Sequence, residues 1–312
     1  MEQLFILING VGLILNKIMI LLTGSSGFLG SEILKALNKK KITSLSRSNS
    51  DYNFDLSISV PIFNNNFDTI IHAAGLAHIE NPSILENNLF YQINVAGTNN
   101  LLKGLELIKI PKHFIFISSI AVYGLDSGEN IKEDFPLLAT DPYGQSKIYA
   151  EKLITEWCHH NNVLCTILRL PIIIGSNAPG NLRSIINAIK KGYYFNIIGN
   201  NAKKSMVLSY DIANFFKIIP NSPGIFNLTD GYNPSIIELT NLISLQLGLS
   251  KPSSLPPQLF KILAFIGDNL TYKFPFNSNK FSKLTNTLTF DDSKARNILN
   301  WNSNQVLKTF KL

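Results

Sequence analysis

From Ile18 onward the chain alternates two hydrophobic rhythms. Short unbroken apolar runs end in glycine or other small residues. Between them lie longer stretches with apolar positions every three or four residues. "IMILLTG" (18–24), "KITSLS" (41–46), "FDTIIHAAG" (67–75), "HFIFISS" (113–119) and "VLCTILRL" (163–170) are runs of the first kind. They predict strands buried on both faces, as in a parallel sheet. "FLGSEILKALNKK" (28–40), 84–109 and 143–160 are of the second kind and predict helices. The alternation predicts an α/β fold, a doubly wound parallel sheet with helices on both faces. After Pro171 the texture changes: "GSNAPGN", "NSPGIF" and "DGYNPS" break the rhythm and the strands shorten. A smaller C-terminal α/β substrate lobe is expected over 175–312, beside a first unit over 18–174. "MVLSYDIANFF" lies in a segment, 205–230, expected to return to that first unit. "LPPQLFKILAFIGDNL" (255–270) is apolar enough for a membrane-surface helix, but its short length and single lysine favour packing within the lobe or against another copy.

Composition narrows the class. With 45% hydrophobic and 16% charged residues among 312, the chain can bury a large core and is no disordered segment. The net charge of +7 comes from lysines spread along the chain, Lys39, Lys40 and Lys41 forming a solvated helix end, so no nucleic-acid partner is expected. Cys158 and Cys165 have no zinc spacing and form no disulfide framework; reduced thiols in the cytoplasm are expected. Residues 1–17 are apolar but lack a basic start and a cleavage site, and are too short to span a bilayer. They read as an extension without assigned function.

Three places carry candidate chemistry. In "TGSSGFLG", Gly24, Gly27 and Gly30 stand between a strand and a helix. Gly24 permits the turn, Gly27 lets backbone approach a pyrophosphate, and Gly30 lets helix and strand pack closely. The helix start adds free N–H groups. At the end of the second strand, where NAD sites usually carry an acid, the chain reads Ser46-Arg47-Ser48. An arginine there suits a 2′-phosphate, so NADP is favoured over NAD. In "PYGQSK", Tyr143 and Lys147 are one helical turn apart. An ammonium about 6 Å from a phenol, at an effective dielectric of about 20, favours phenolate by roughly 2.8 kcal/mol. That is about two pKa units, enough to make the tyrosine an acid/base near working pH. Ser118 and Ser119 end a strand nearby, and Ser119 is the better substrate-orienting group. His72 reads as structural, His78 as loop packing or substrate contact, and Tyr123 as packing or ligand contact.

With "HAAG", "NVAGT", "SSIAVYG", "LRLP", "YDIA" and "DDSKARNILNW" following in order, the chain resembles the extended short-chain dehydrogenase/reductases of the NAD-dependent epimerase/dehydratase family. The resemblance implies a Rossmann-type fold and an enzyme using NADP or NAD on a UDP-sugar. Tyr143 would be the acid/base, Lys147 would hold the nicotinamide ribose, and Ser119 would bond the reacting oxygen. Ser26, Phe28, Leu29, Asp55, Leu56, Ala73, Ala74, Gly75 and Pro171 would line the cofactor. Asn94 would steady the site through water. Asn181 and Lys204 would bind the sugar diphosphate, Lys204 standing where relatives often carry arginine. Ile120-Ala121 replaces the Asp-Glu of sugar 4,6-dehydratases, which argues against elimination. The expected reaction is at C4 of a UDP-hexose or UDP-N-acetylhexosamine. A 4-ketoreductase making surface-polysaccharide sugars is favoured, a 4-epimerase is the alternative, and a non-catalytic dinucleotide-binding module is the remote rival. A homodimer is expected as an option, and stable membrane insertion is not.

Overall fold

The computed structural model describes residues 18–37, 42–77, 84–270 and 276–312. The N-terminal extension, Lys39 to Lys41 and His78 lie outside them. In chain order the first elements are β1 (Ile20–Thr23), α1 (Phe28–Ala36), β2 (Ile42–Ser46), β3 (Tyr52–Asn53), β4 (Thr69–His72) and α2 (Ile84–Phe90). A π-helical turn (Tyr91–Ala96) leads into α3 (Gly97–Glu106), then β5 (His113–Ser119), a 3₁₀ turn (Ile120–Tyr123), β6 (Gly128–Ile131) and α4 (Pro142–His160). Next come β7 (Leu164–Leu170), β8 (Ile172–Ile174), α5 (Asn181–Lys190), β9 (Asn196–Ile197), β10 (Met206–Leu208), α6 (Ser209–Phe215) and β11 (Gly224–Asn227). The chain closes with α7 (Ile236–Gln246), β12 (Ser254–Leu255), α8 (Pro257–Asn269), α9 (Ser278–Thr285), β13 (Leu288–Phe290), α10 (Ser293–Leu299) and α11 (Val306–Thr309).

Seven strands form one parallel sheet in the order β11-β7-β5-β4-β1-β2-β3. The order reverses between β1 and β4, the switch point at which doubly wound sheets bind ligands. Unbroken apolar runs are explained by burial on both faces. Leu21, Ile70, Phe114 and Phe116 point to one side, where α3 and α4 supply Leu101, Leu105, Ile154 and Trp157. Leu22, Ile71, Ile115 and Ile117 point to the other, against Ile33 of α1 and Ile212 of α6. Beyond Pro171 a second apolar cluster joins Ile174, Leu182, Ile186, Met206, Leu239 and Ile243. β10 pairs with β8 there, while β11 adds itself to the large sheet beside β7.

Two histidines end up inside this sheet as neutral groups. Thr98 Oγ1 donates to the Asn94 carbonyl (2.6 Å), so it accepts from His72 Nε2 (2.9 Å), and His72 Nδ1 accepts from the Thr23 hydroxyl (2.7 Å). The proton therefore sits on Nε2. Burial, and then the charge of Lys147, pushes the His72 pKa down to about 3. Burial alone pushes His113 down to about 4. The unfolded chain takes up protons below about pH 6.5 that the native state refuses. The stability these residues contribute is thus whole above that pH and falls as acid is added, by about 1.4 kcal/mol per pH unit for each. The urea midpoint should drop between pH 6.5 and 5, and His113→Gln should roughly halve that slope. A midpoint unchanged over this range would remove the argument.

Candidate active site

The glycine turn follows β1 at the C-terminal edge of the sheet. Gly24 has φ +71°, and a Cβ there would lie 2.6 Å from Ala74 N. A Cβ on Gly30 would strike the Gly24 carbonyl. Only glycine satisfies either position. Gly27 is the N-cap of α1 and offers no side-chain cap to the first amides of the helix. Ser25 Oγ, beside them, is buried without a hydrogen-bond partner. A bare helix start, a turn that admits no Cβ and an orphaned hydroxyl fit a dinucleotide pyrophosphate, with Ser26, Phe28 and Leu29 along the same turn. Around it, Ala73 and Ala74 donate backbone N–H groups to Thr23. Leu56 is buried against Gly97, and Asp55 accepts from the amide and hydroxyl of Ser57. Arg47 is exposed, while Ser46 and Ser48 bond to each other: Ser46 Oγ donates to the Ser48 carbonyl at 2.6 Å. The Ser46 hydroxyl is thus turned into its own loop.

Across the switch point, α4 begins with Asp141 as N-cap and Pro142 in its first turn, which fixes where Tyr143 sits. Its ring packs against Phe90 at 5.8 Å, and the Ser119 side chain is near enough to the phenol to pull its pKa down. Ser119 ends β5, and its hydroxyl oxygen accepts from Ala121 N (3.2 Å). Ser118, one residue earlier, points to the other side and donates to Glu151. One turn after Tyr143, Lys147 donates from Nζ to the Ile117 carbonyl at 3.0 Å and lies over the Phe116 ring. A Cβ on Gly75 would come within 3.3 Å of that Nζ and 3.0 Å of Asn94 Oδ1. Asn94, set inward by the π-helical turn, bonds both backbone groups of Leu76 and the Ser146 hydroxyl directly. These protein bonds use both its amide hydrogens and one lone pair of its oxygen, and tie the Leu76 backbone to α4.

The electrostatics correct one expectation. Burial raises the Tyr143 pKa, Ser119 lowers it and Asp141 raises it again; Lys147 is not among its main influences. The reason is geometric: the ammonium is committed to Ile117 and the Phe116 face rather than to the phenol. Burial also pushes Lys147 down to about 8, with Glu151 opposing. Glu151 completes a file at four-residue spacing, Tyr143, Lys147, Glu151, and pairs with Arg169 at 2.7 Å, both side chains being almost fully buried. Arg169 goes on to Tyr123 (3.0 Å), and Tyr123 to Asn227 (2.8 Å). Tyr123 therefore packs, with no exposed surface. The network of Glu151, Arg169 and Asn227 was missed in the sequence, although the continued spacing on α4 and the arginine of "LRLP" were its signal.

The remaining candidates lie elsewhere. Pro171 is buried between β7 and β8. Asn181 is exposed at the first position of α5, after Gly180 with φ +67°. Lys204 is buried; burial lowers its pKa to about 8, against Asp126, with Lys283 adding to the depression. Asp211 is not directed at ligand: it holds the backbone and side-chain amides of Asn304. A cavity of about 300 Å³ opens beside Phe28, Gly175, Ser209 and Phe310, lined by neither Tyr143 nor Lys147. Among the described residues no cluster of His, Cys, Asp or Glu could hold a metal, and no helix is long and apolar enough to cross a membrane.

Comparison with known proteins agrees with this arrangement. The NAD dependent epimerase/dehydratase family matches residues 20–222. A UDP-glucose 4-epimerase of Vibrio cholerae is 28% identical, covering 93% of this chain and 92% of that protein. An N-acetyl-alpha-D-glucosaminyl-diphospho-ditrans,octacis-undecaprenol 4-epimerase of Escherichia coli O157:H7 is 27% identical, covering 88% of each. In fold, the UDP-Glc/GlcNAc 4-epimerase of Campylobacter jejuni matches with a TM-score of 0.69 at 20% identity, covering 92% of this chain and 94% of that one. RMD from Pseudomonas aeruginosa, solved with NADPH, matches at 0.70 and 19% identity, covering 93% and 95%. The glycine turn, the YGQSK helix and a match over more than half the length lead to one conclusion: the chain belongs to the NAD-dependent epimerase/dehydratase family, the nucleotide-sugar epimerases and reductases of the extended short-chain dehydrogenase/reductase group, and is an enzyme that works with NAD or NADP.

Proposed function

We propose that this enzyme inverts C4 of a hexose or N-acetylhexosamine carried on a diphosphate, a UDP-sugar in the first instance. The observation that carries the reading is the placement of Tyr143, at the start of α4, beside Ser119 at the C-terminal edge of β5, with Lys147 one turn away. Bound dinucleotide supplies the acceptor and donor of the C4 hydride. Ser119 would orient the 4-oxygen, and Tyr143, ionised beside the positive charge that an oxidised nicotinamide would bring, would take its proton and later return it. Lys147, whose Nζ lies beside Gly75, would hold the nicotinamide ribose through its hydroxyls. Lys204 and Asn181 hold the diphosphate. Ile120 and Ala121 offer no acid or base for elimination. The 4-epimerase now stands ahead of the 4-ketoreductase favoured by sequence. That preference rested on a phosphate site at Ser46-Arg47-Ser48, and the Ser46 hydroxyl is spent on the Ser48 carbonyl. Relatives covering nine-tenths of the chain also carry 4-epimerase names. The exposed Arg47 keeps the reductase as the second reading.

The test is to incubate the purified protein with UDP-glucose or UDP-N-acetylglucosamine and follow the sugar by NMR. The C4 epimer should accumulate to equilibrium with no net change in nicotinamide absorbance. No epimer, together with stoichiometric NADPH consumption on a 4-keto sugar, would hand the site to the reductase.

A further inference from the structure

Helix α8 presents an uncovered apolar face. Its inner side buries Phe260 and Ala264 against α9, with the Phe260 ring on Phe276 at 5.8 Å. The outer side carries Leu259, Ile262, Phe265 and Ile266, which are 45, 55, 69 and 39% exposed. Their spacing makes one stripe along a helix about 20 Å long. The patch continues past the helix: β12, just before α8, pairs with β9, and Phe195 and Ile198 flanking β9 are exposed too. Charge around it is one-sided. Over the described residues 249–270 and 276–288 the chain holds Lys251, Lys261, Lys280 and Lys283 against a single acid, Asp268, whose carboxylate is engaged by Ser278. Lys283 on α9 also acts on Lys204, which places the patch one helix away from the candidate diphosphate cation.

We propose that this face of α8 seats the enzyme on an anionic lipid bilayer, the four apolar side chains at the acyl boundary and the lysines at the headgroups. An apolar stripe rimmed by cations is the composition of an in-plane helix, and each lysine gains from negative surface potential. A second copy of the chain fits less well, because a two-fold pairing would set each lysine rim against its twin. The use of such docking rests on the diphosphosugar reading: it would bring the site to a sugar diphosphate held in the membrane. The docking itself is measured without turnover.

In flotation with vesicles of phosphatidylethanolamine and phosphatidylglycerol, the full-length protein should rise with the lipid. With phosphatidylcholine alone it should rise far less. Ile262→Glu/Phe265→Glu should cut flotation about tenfold while leaving UDP-sugar turnover in solution unchanged, which shows the fold intact. Wild-type protein that stays down with both lipids would overturn the proposal, as would a double variant that floats equally well. A mass by light scattering that halves on the double substitution would also overturn it, giving the face to a second copy. A flotation difference with no turnover in either protein would support docking and count against the catalytic reading.

Discussion

Tyr143→Phe should lower kcat by roughly 10²- to 10⁴-fold, the usual worth of a positioned acid/base, and leave KM within a few-fold. The change removes one oxygen. The ring keeps its place against Phe90, and Ser119 keeps its bond from Ala121 N, so neither the fold nor the substrate-orienting hydroxyl is disturbed. Steady-state kinetics with a melting curve on the same preparation checks both halves. A variant with kcat within threefold of wild type would end the mechanism. The pH profile adds a sign. In the free enzyme, burial holds the phenol above its ordinary range, so it is protonated at neutral pH. Lys147, lowered to about 8, carries its charge below that pH and sheds it above. Because a bound ribose and substrate must draw on that ammonium, kcat/KM should fall as pH rises through about 8, well below the ordinary lysine range.

The fold was legible because burial on both faces leaves a signature that needs no partner to read. In "HFIFISS" the four residues Phe114 to Ile117 are apolar and all buried, and the strand closes at Ser119 as the run does. The glycine turn was legible for a similar reason, since Gly24 and Gly30 are excluded from any other identity by local contact. What stayed hidden depends on where side chains turn. Tyr143 and Lys147 share a helix face, yet Lys147 Nζ goes to Ile117 and Phe116, residues thirty positions away in sequence. Spacing gave the neighbourhood and not the direction. Residues 84–109 read as one helix, but a π-helical turn interrupts them and aims Asn94 inward, and hydrophobic period is too coarse to register one extra residue per turn. At Ser46-Arg47-Ser48 the same limit shows: the Ser46 hydroxyl bonds the Ser48 carbonyl of its own loop, while Arg47 stays exposed. Ser118 and Ser119 were adjacent candidates, and strand alternation separated them, one toward Glu151 and one toward the phenol.

Arg169→Met should cost about 3–5 kcal/mol of stability, the largest effect expected of any substitution outside the core. Arg169 and Glu151 are both buried, joined at 2.7 and 3.1 Å, and the guanidinium also serves Tyr123 and the Glu133 carbonyl. Removing the guanidinium takes away the cation paired directly with a buried carboxylate, which then keeps only the Ser118 hydroxyl and the more distant Lys147, and that is where the cost of that size arises. Replacing both partners, with Glu151→Leu added, should recover a good part of the loss, because no charge is then stranded. Urea unfolding of the two singles and the double supplies the cycle; a single substitution costing under about 1 kcal/mol would show the pair to be inert. The same cycle reaches the site. Glu151 raises the Lys147 pKa, and in the wild type Arg169 competes for that carboxylate. With Arg169 gone, the nearest cation on α4 is Lys147, one turn back. The alkaline limb of kcat/KM should therefore move upward in Arg169→Met and downward in Glu151→Gln. Opposite shifts from two halves of one ion pair are what a merely structural pair would not produce, so their absence would cut the link between this buried network and the candidate catalytic lysine.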